Sequence, residues 1–586
     1  MAKFKEREPI GTIFWVSIIL NVVLFVFLLI IIPPYEIRTY APPRLRSFIF
    51  ATKAGPIDMD PHLCYDNNSE DVISQICEGL YKFDVTNPGS PLLPVLSTTL
   101  PTVEGTPDKP ELVIPLRQGV KFQDGTNFNA ATVKWNFDRL MYFMNYSGNQ
   151  YLPSPFNVSL PTTTQVTKVY LLFDQGGIPV INETIVEDTY IVRIKMNFPK
   201  ASFINQLAFH SCFFHSPTSA KAQGKELDYL TYADDDKLIG TGPFMLDYYT
   251  TDVEVKFSAN LDYWQTPKYL SPKIEELTFW IIEDDIALNT AILNGDIDLY
   301  DEPEAEFLEI FEADPDITLL EAGPTVNTEY LGFNGYMVNT TFRKAISYAI
   351  NYSYLIDVVM ASEGYRLKSP IPEGIPMSNF SFNYPLLNRT YAQSIMQSMG
   401  YGTTFTADVE WLAVADVGGW GFGWNITAQT EEITHRDFAF HISENLRYLG
   451  MNVPVIQVPF WDVITCMENN IGSLRRDMIP MYMLGRVPDY IDPENYVTPL
   501  YSNRSEFWVN TYDYELEQLM LEGELTIDIT TRQMIYNEIQ RKLVEELYFH
   551  VWIATGKNYD VYQNYVKGWV PNAIERLDLY PVYIDY

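Results

Sequence analysis

Few side chains in this sequence stand in patterns that could carry out covalent chemistry. The six histidines (62, 210, 215, 435, 441 and 550) are scattered, and His210 and His215, five apart, do not share a helical face. No His-Glu-x-x-His pair occurs, so no metal site is expected. Gly224-Lys225 and Gly556-Lys557 lack the glycine spacing and the hydroxyl of a phosphate-binding loop. The stretch Gly418 to Trp424 carries bulky rings where a pyrophosphate would need bare backbone. Without a nucleophile–base arrangement, neither an enzyme nor a cofactor is expected. What remains is the chemistry of recognition. In Arg486-Val487-Pro488-Asp489-Tyr490 a guanidinium and a carboxylate stand close in sequence. A buried carboxylate suits a ligand cation, and an arginine suits a ligand carboxylate through two parallel bonds. The two could equally neutralise each other, or Asp489 could cap the turn before Asp492-Pro493. Tyr65-Asp66-Asn67 is a second polar loop. Trp420 and Trp424, flanked by glycines, offer faces that stack on sugars or side chains, or that simply pack.

These residues need elements to position them, and helix and strand patterns alternate along the chain. Ser47 to Ala51 reads as a strand, and Ser69 to Leu80 as a helix with Ser69 as its N-cap. Strand patterns recur at Leu112 to Leu116, Tyr190 to Met196, Val409 to Val414, Val453 to Val458 and Phe549 to Ile553. Helical patterns cover Ala130 to Met144, Phe342 to Ile350, His435 to Leu449 and Thr531 to Leu547. This rhythm implies α/β layers, and 586 residues exceed what one core usually serves. In such layers ligands bind past the carboxyl ends of strands, where the three candidate loops are expected to lie.

A net charge of −35 without basic stripes argues against a nucleic-acid partner. The apolar run Ile13 to Ile32 is long enough to span a bilayer as a helix. Lys3, Lys5 and Arg7 ahead of it favour a cytoplasmic N-terminus. No small-x-small cleavage site lies near Pro33-Pro34, and the first cysteine, Cys64, is too late for lipid attachment, so an uncleaved anchor is expected. Glycosylation acceptors begin at Asn67, Asn145, Asn157, Asn182, Asn339, Asn351, Asn379, Asn388, Asn425 and Asn503, all after that run, which places the folded part outside the cell. Cys64, Cys77, Cys212 and Cys466 leave both disulfides and buried thiols open.

Several segments stand out when taken in order. They are Ile57-Asp58-Met59-Asp60-Pro61-His62, Cys77-Glu78-Gly79-Leu80-Tyr81, and Leu116 to Thr126 with Ala131 to Lys134. They continue through Ile239 to Phe244, Asp262-Tyr263-Trp264, Leu293 to Asp298, Tyr330 to Asn334, Phe342 to Ala349 and Asp489 to Pro493. Together these segments resemble the oligopeptide- and dipeptide-type solute-binding proteins of ABC transporters. Each also reads as structure alone: Asp124-Gly125 as a hairpin turn, and Gly240, Gly242 and Pro243 as a turn into a strand.

The resemblance implies a periplasmic-binding-protein type II fold, with two lobes and an inserted third domain behind a single transmembrane helix. The expected divisions are a cytoplasmic N-terminus (1–12), the anchor (13–32) and a proline-rich stalk (33–46). One lobe would comprise 47–80, 239–325 and 549–586, the inserted domain 81–238, and the second lobe 326–548. In the family the loop matching Tyr65-Asp66-Asn67 lines the peptide, and the aspartate matching Asp489 meets the ligand's α-ammonium. Arg486 departs from the family, standing where a tryptophan is common. The function so implied is capture of a short peptide by hinge closure and its delivery to ABC permease subunits. An oligosaccharide ligand, or a surface glycoprotein that keeps the fold without transport, are the alternatives.

Overall fold

The computed structural model describes residues 46–62, 64, 66–86, 91–144, 178–222, 237–265, 273–301, 303–430, 432–460, 462–463, 479–488, 490–502, 512–572, 574 and 576–585. The expected anchor and the stalk up to residue 45, the acceptors Asn145, Asn157 and Asn503, and Tyr65, Cys466 and Asp489 lie outside them. Among the described residues no helix is long and apolar enough to cross a membrane.

The chain opens with β1 (Ser47–Thr52), followed by helix α1 (Asn67–Ile76). An inserted segment then carries β2 (Tyr81–Phe83), β3 (Leu92–Pro94), β4 (Thr102–Thr106), β5 (Lys109–Pro115), helix α2 (Ala130–Met144), β6 (Ile181–Asp188) and β7 (Ile191–Met196). Along β7, Val192, Ile194 and Met196 are buried while Ile191, Arg193 and Lys195 are only half-buried, the period of two that the sequence shows. The chain continues through β8 (Phe244–Thr250), β9 (Glu254–Ala259), β10 (Glu276–Ile281), β11 (Leu299–Asp301) and β12 (Ile317–Pro324). Then come β13 (Thr328–Phe333), β14 (Gly364–Arg366), β15 (Ile426–Gln429), β16 (Val455–Val458), β17 (Met481–Arg486) and β18 (His550–Gln563).

A 12-stranded mixed sheet takes in β1 and β8 to β18, and it has two halves. In the first, β1 runs parallel to β10 and β11, with β9 and β8 beyond. In the second, β13 pairs antiparallel with β17, and β15 lies parallel to β17 and β16. The 14-residue β18 belongs to both. Its Val551 and Trp552 pair with Leu331 and Tyr330 of β13, whereas its Val561 and Tyr562 pair with β11 and β12. The pairing thus passes from one half to the other inside this strand. The other passage is the short link from β12 to β13.

Some of the segments that carry the resemblance join the inserted segment to the first half. Glu78, which is buried, accepts hydrogen bonds from Thr241 Oγ1 (2.7 Å), Tyr263 Oη (2.7 Å) and Trp264 Nε1 (2.9 Å). Three segments distant in sequence thus meet at one carboxylate. Gly240 and Gly242 lie against the end of α1, where a β-carbon would come within 2.0 Å and 2.7 Å of the Ile76 carbonyl oxygen. Close approach, rather than a turn, requires glycine there. Nearby, Arg139 of α2 grips Asp60 through both carboxylate oxygens and lies 2.8 Å from His62 Nδ1.

Two local expectations are corrected. The helix read as starting at Ser69 starts at Asn67, because Asp66 caps it by accepting from Ser69 N (2.8 Å). It ends at Ile76, where the backbone of Gly240 to Gly242 closes against it. Val409 to Val414, read as a strand, lies in a helix, Asp408–Asp416. Glu410 reaches back to accept from Thr406 N (2.6 Å) and Ala407 N (2.9 Å), and Trp411 and Ala415 are buried four apart, while Val409 is 67% exposed.

Cys64, Cys77 and Cys212 are buried free thiols. His215 and His550 are also buried, and burial, aided by Arg139 and Arg343 respectively, pushes each imidazole down to about 3. The unfolded chain takes up a proton at each near pH 6.5, so it binds more protons than the folded state between about pH 6.5 and 3. The stability these neutral rings contribute is complete above pH 6.5 and is lost as pH falls through that window. The melting temperature should drop between pH 7 and 5, less steeply in His550→Gln. A wild-type melting temperature that stays level would show these rings to be solvated.

Candidate functional site

A cavity of about 270 Å³ opens where the two halves face each other. Helix α1 provides Asn67, Glu70 and Asp71, which share one face at the i, i+3, i+4 spacing. Val326 and Asn327 come from the link between β12 and β13. The carboxyl end of β17 supplies Arg486, the segment past it Val487, Pro488, Tyr490 and Ile491, and Phe209, Ile574 and Arg576 complete the wall. Two of the three loops singled out by sequence, far apart in the chain, therefore converge. Asn67 lines the cavity from an exposed position, whereas Asp66 uses its carboxylate on the backbone and hydroxyl of Ser69.

Arg486 is anchored from behind, donating from Nη2 to Asn495 Oδ1 (2.6 Å) and from Nε to the Asn495 carbonyl (3.2 Å). Burial holds its pKa below the usual arginine value. The residues that follow it are fixed by buried charges. Asp492 receives both Nη1 (2.8 Å) and Nη2 (2.7 Å) of Arg532. Lys200 of the inserted segment donates to Glu494 (2.6 Å), and Asn205 Nδ2 donates to the Ile491 carbonyl (3.1 Å) and Asp492 Oδ2 (3.0 Å). Burial opposes the charge on Lys200 and on Glu494, yet each partner outweighs it, so the ammonium is raised and the carboxyl lowered. On the facing wall Glu70 is ion-paired with Arg576 and lies 3.0 Å from His210 Nδ1. The walls thus present carboxylates from α1 and guanidinium groups from Arg486 and Arg576.

The third loop does not take part. Trp424 is 8% exposed, stacked on Phe422 at 4.6 Å and edge-on to Phe342 at 5.1 Å. Trp420 donates its indole N–H to the Leu449 carbonyl (2.8 Å) and packs beside Tyr401 and Trp411. The reason is topological. β15 and β17 are parallel, so Trp424, just ahead of β15, sits at the opposite end of the sheet from Arg486, at the end of β17. Glu70, Asp71, Asn327 and Arg576 were not singled out from sequence. The helical spacing from Asn67 carried the signal for the first two, and nothing local marked the others.

Of the described glycosylation acceptors, Asn182, Asn339 and Asn388 are exposed, as is Asn67, while Asn351, Asn379 and Asn425 are half-buried. Asn379 donates its amide nitrogen to Asn537 Oδ1 (3.1 Å), the atom a glycan would need. Among the described residues no group of His, Cys, Asp and Glu could hold a metal ion.

The sequence matches the bacterial extracellular solute-binding proteins, family 5, over residues 101–508, and the chain belongs to that family. The glutathione-binding protein GsiB of Escherichia coli K12 is 26% identical over 364 residues, 62% of this chain and 63% of its own length. The chain thus spans less than two thirds of that curated relative. Among solved structures, HbpA2 from Haemophilus parasuis superposes with a TM-score of 0.74 at 21% identity, covering 92% of this chain and 100% of that one. A dipeptide-binding protein from Pseudoalteromonas sp. SM9913, in complex with Met-Leu, has a TM-score of 0.66 at 20% identity with the same coverage. These likenesses establish the fold.

Proposed function

We propose that this protein captures a short peptide between its two halves and hands it to an ABC importer at the outer face of the membrane, held there by the span at 13–32. The observation that carries the reading is the cavity, which sets the α1 wall, with Asp71 and the Glu70–Arg576 pair, against the guanidinium group of Arg486, two signs of charge as a zwitterionic peptide has. The matched relative's name, glutathione-binding protein, and the dipeptide in the Pseudoalteromonas complex agree with a peptide. The oligosaccharide reading drew on Arg486 neutralising Asp489 and on Trp420 and Trp424, and the packing of the tryptophans away from the cavity removes the second support. Closure about β18 and the β12–β13 link would shut out water and present a closed form to the permease. No cofactor enters this cycle, and ATP hydrolysis belongs to another subunit, since the sequence carries no phosphate-binding loop.

The test is calorimetry with a panel of dipeptides to tetrapeptides and a panel of oligosaccharides. Peptides should bind, and Asp489→Asn should cost about 2–5 kcal/mol, the penalty for breaking a desolvated charge pair. N-acetylated peptides should then bind poorly. Sugar binding indifferent to that substitution, with no peptide bound, would refute the peptide assignment. The uncleaved anchor has its own check: intact-mass analysis should find residues 1–34 attached. Glycans are expected on Asn182, Asn339 and Asn388.

A further inference from the structure

The link between the halves satisfies its polar groups with one conspicuous omission. Thr325 N donates to the Gly556 carbonyl (2.9 Å), and its hydroxyl lies 3.0 Å from that of Thr555. The Val326 carbonyl accepts from Tyr496 Oη (2.8 Å). Asn327, the next residue, lines the cavity, yet its side-chain oxygen is shut off from solvent and meets no donor. The hydroxyl of Thr328, a fully buried residue, is likewise without a partner, and Thr328 stands opposite Arg486 in the β13–β17 ladder. A buried acceptor that makes no hydrogen bond weakens a fold, and an apolar side chain of similar size would avoid that penalty.

We propose that Asn327 is a ligand-contacting residue whose amide turns toward the cavity that it lines when a peptide binds, so that its oxygen is completed by an N–H of that peptide. This rests on the peptide reading above and deepens it, because it locates one donor of the ligand beside the link about which the halves close. An amide oxygen can only accept, so the ligand must supply the hydrogen. A bond made at the link favours the closed state, since a bound ligand shifts the balance only through contacts that differ between the two states. Asn327 would therefore report occupancy at the point where the halves meet.

The experiment has a ligand-free arm and a binding arm. In the first, Asn327→Leu and Asn327→Ser are melted without ligand beside wild type. Both should melt at or above the wild-type temperature, because no hydrogen bond is lost in the empty protein. A fall of several degrees in both would overturn the proposal by showing that the amide has a structural partner. In the second, glutathione, Met-Leu and trialanine are titrated into all three proteins. For a peptide that binds wild type, Asn327→Leu should raise Kd about tenfold, the loss of one hydrogen bond. Methylating the peptide nitrogen that meets Asn327 should cost wild type a similar factor and cost Asn327→Leu almost nothing. An unchanged Kd in Asn327→Leu would overturn the proposal and leave the peptide reading intact. If no peptide binds wild type, the peptide reading falls and this assignment falls with it, whatever the melting temperatures.

Discussion

Replacing Arg139 by methionine should lower the unfolding free energy by about 3–5 kcal/mol, as expected when one member of a buried ion pair is removed. Both side chains of the Arg139–Asp60 pair have no exposed surface. Burial drives the Asp60 carboxyl toward neutrality, and Arg139 more than reverses it, leaving the group well below the usual carboxylate range. Without the guanidinium, Asp60 must either hold a charge among buried groups or take up a proton. The loss should also be structural, because Arg139 ties α2 of the inserted segment to the loop ahead of α1. Equilibrium urea denaturation of wild type, Arg139→Met and Arg139→Met/Asp60→Leu tests this. The double variant should regain much of the loss, because it strands no charge. A single variant within about 1 kcal/mol of wild type would mean that water reaches Asp60 and screens it, as at a surface pair.

The second large effect concerns the contact between the inserted segment and the second half. Lys200 and Glu494 are 9% and 6% exposed, so their bridge is almost fully desolvated. Asn205 adds its bonds to Ile491 and Asp492, and Ala201 N donates to the Glu524 carbonyl (2.8 Å). Lys200→Met leaves Glu494 buried without its ammonium, again about 3–5 kcal/mol against the arrangement. Separation of the segments relieves that cost more cheaply than unfolding does. The expected result is therefore a larger radius of gyration by small-angle scattering, with a melting temperature that falls less than the local penalty implies. Lys200→Met/Glu494→Leu should recover a compact particle. An unchanged radius with a sharply lower melting temperature would place the bridge inside one rigid body.

The order of the segments made the fold legible, since the α/β rhythm and the family resemblance agree from β1 to β18. Short apolar runs were the weak point. Val409 to Val414 fits either period, and the deciding signal was Glu410 reaching back to cap Thr406 and Ala407. At the site, Asn67 and Arg486 were readable because each flanks a recognisable segment. The tryptophans misled because ring type and glycine neighbours say nothing about which end of a sheet a loop occupies; the parallel pairing of β15 with β17 decides that. Asn327 and Arg576 were invisible for another reason: their roles depend on what distant chain leaves unpaired or brings near. The same holds for the partners of Glu78, which lie 163, 185 and 186 residues away.

The position of β18 bears on how the protein is made. This strand follows every other strand of the large sheet in the chain, yet it pairs with β11, β12, β13 and β14. Neither half can complete its sheet until β18 has been synthesised, and its pairings close very long loops, which slows folding. A chain emerging from the ribosome thus stays without its central strand for most of its synthesis. That delay keeps the polypeptide extended and threadable for longer than a sheet completed early in synthesis would.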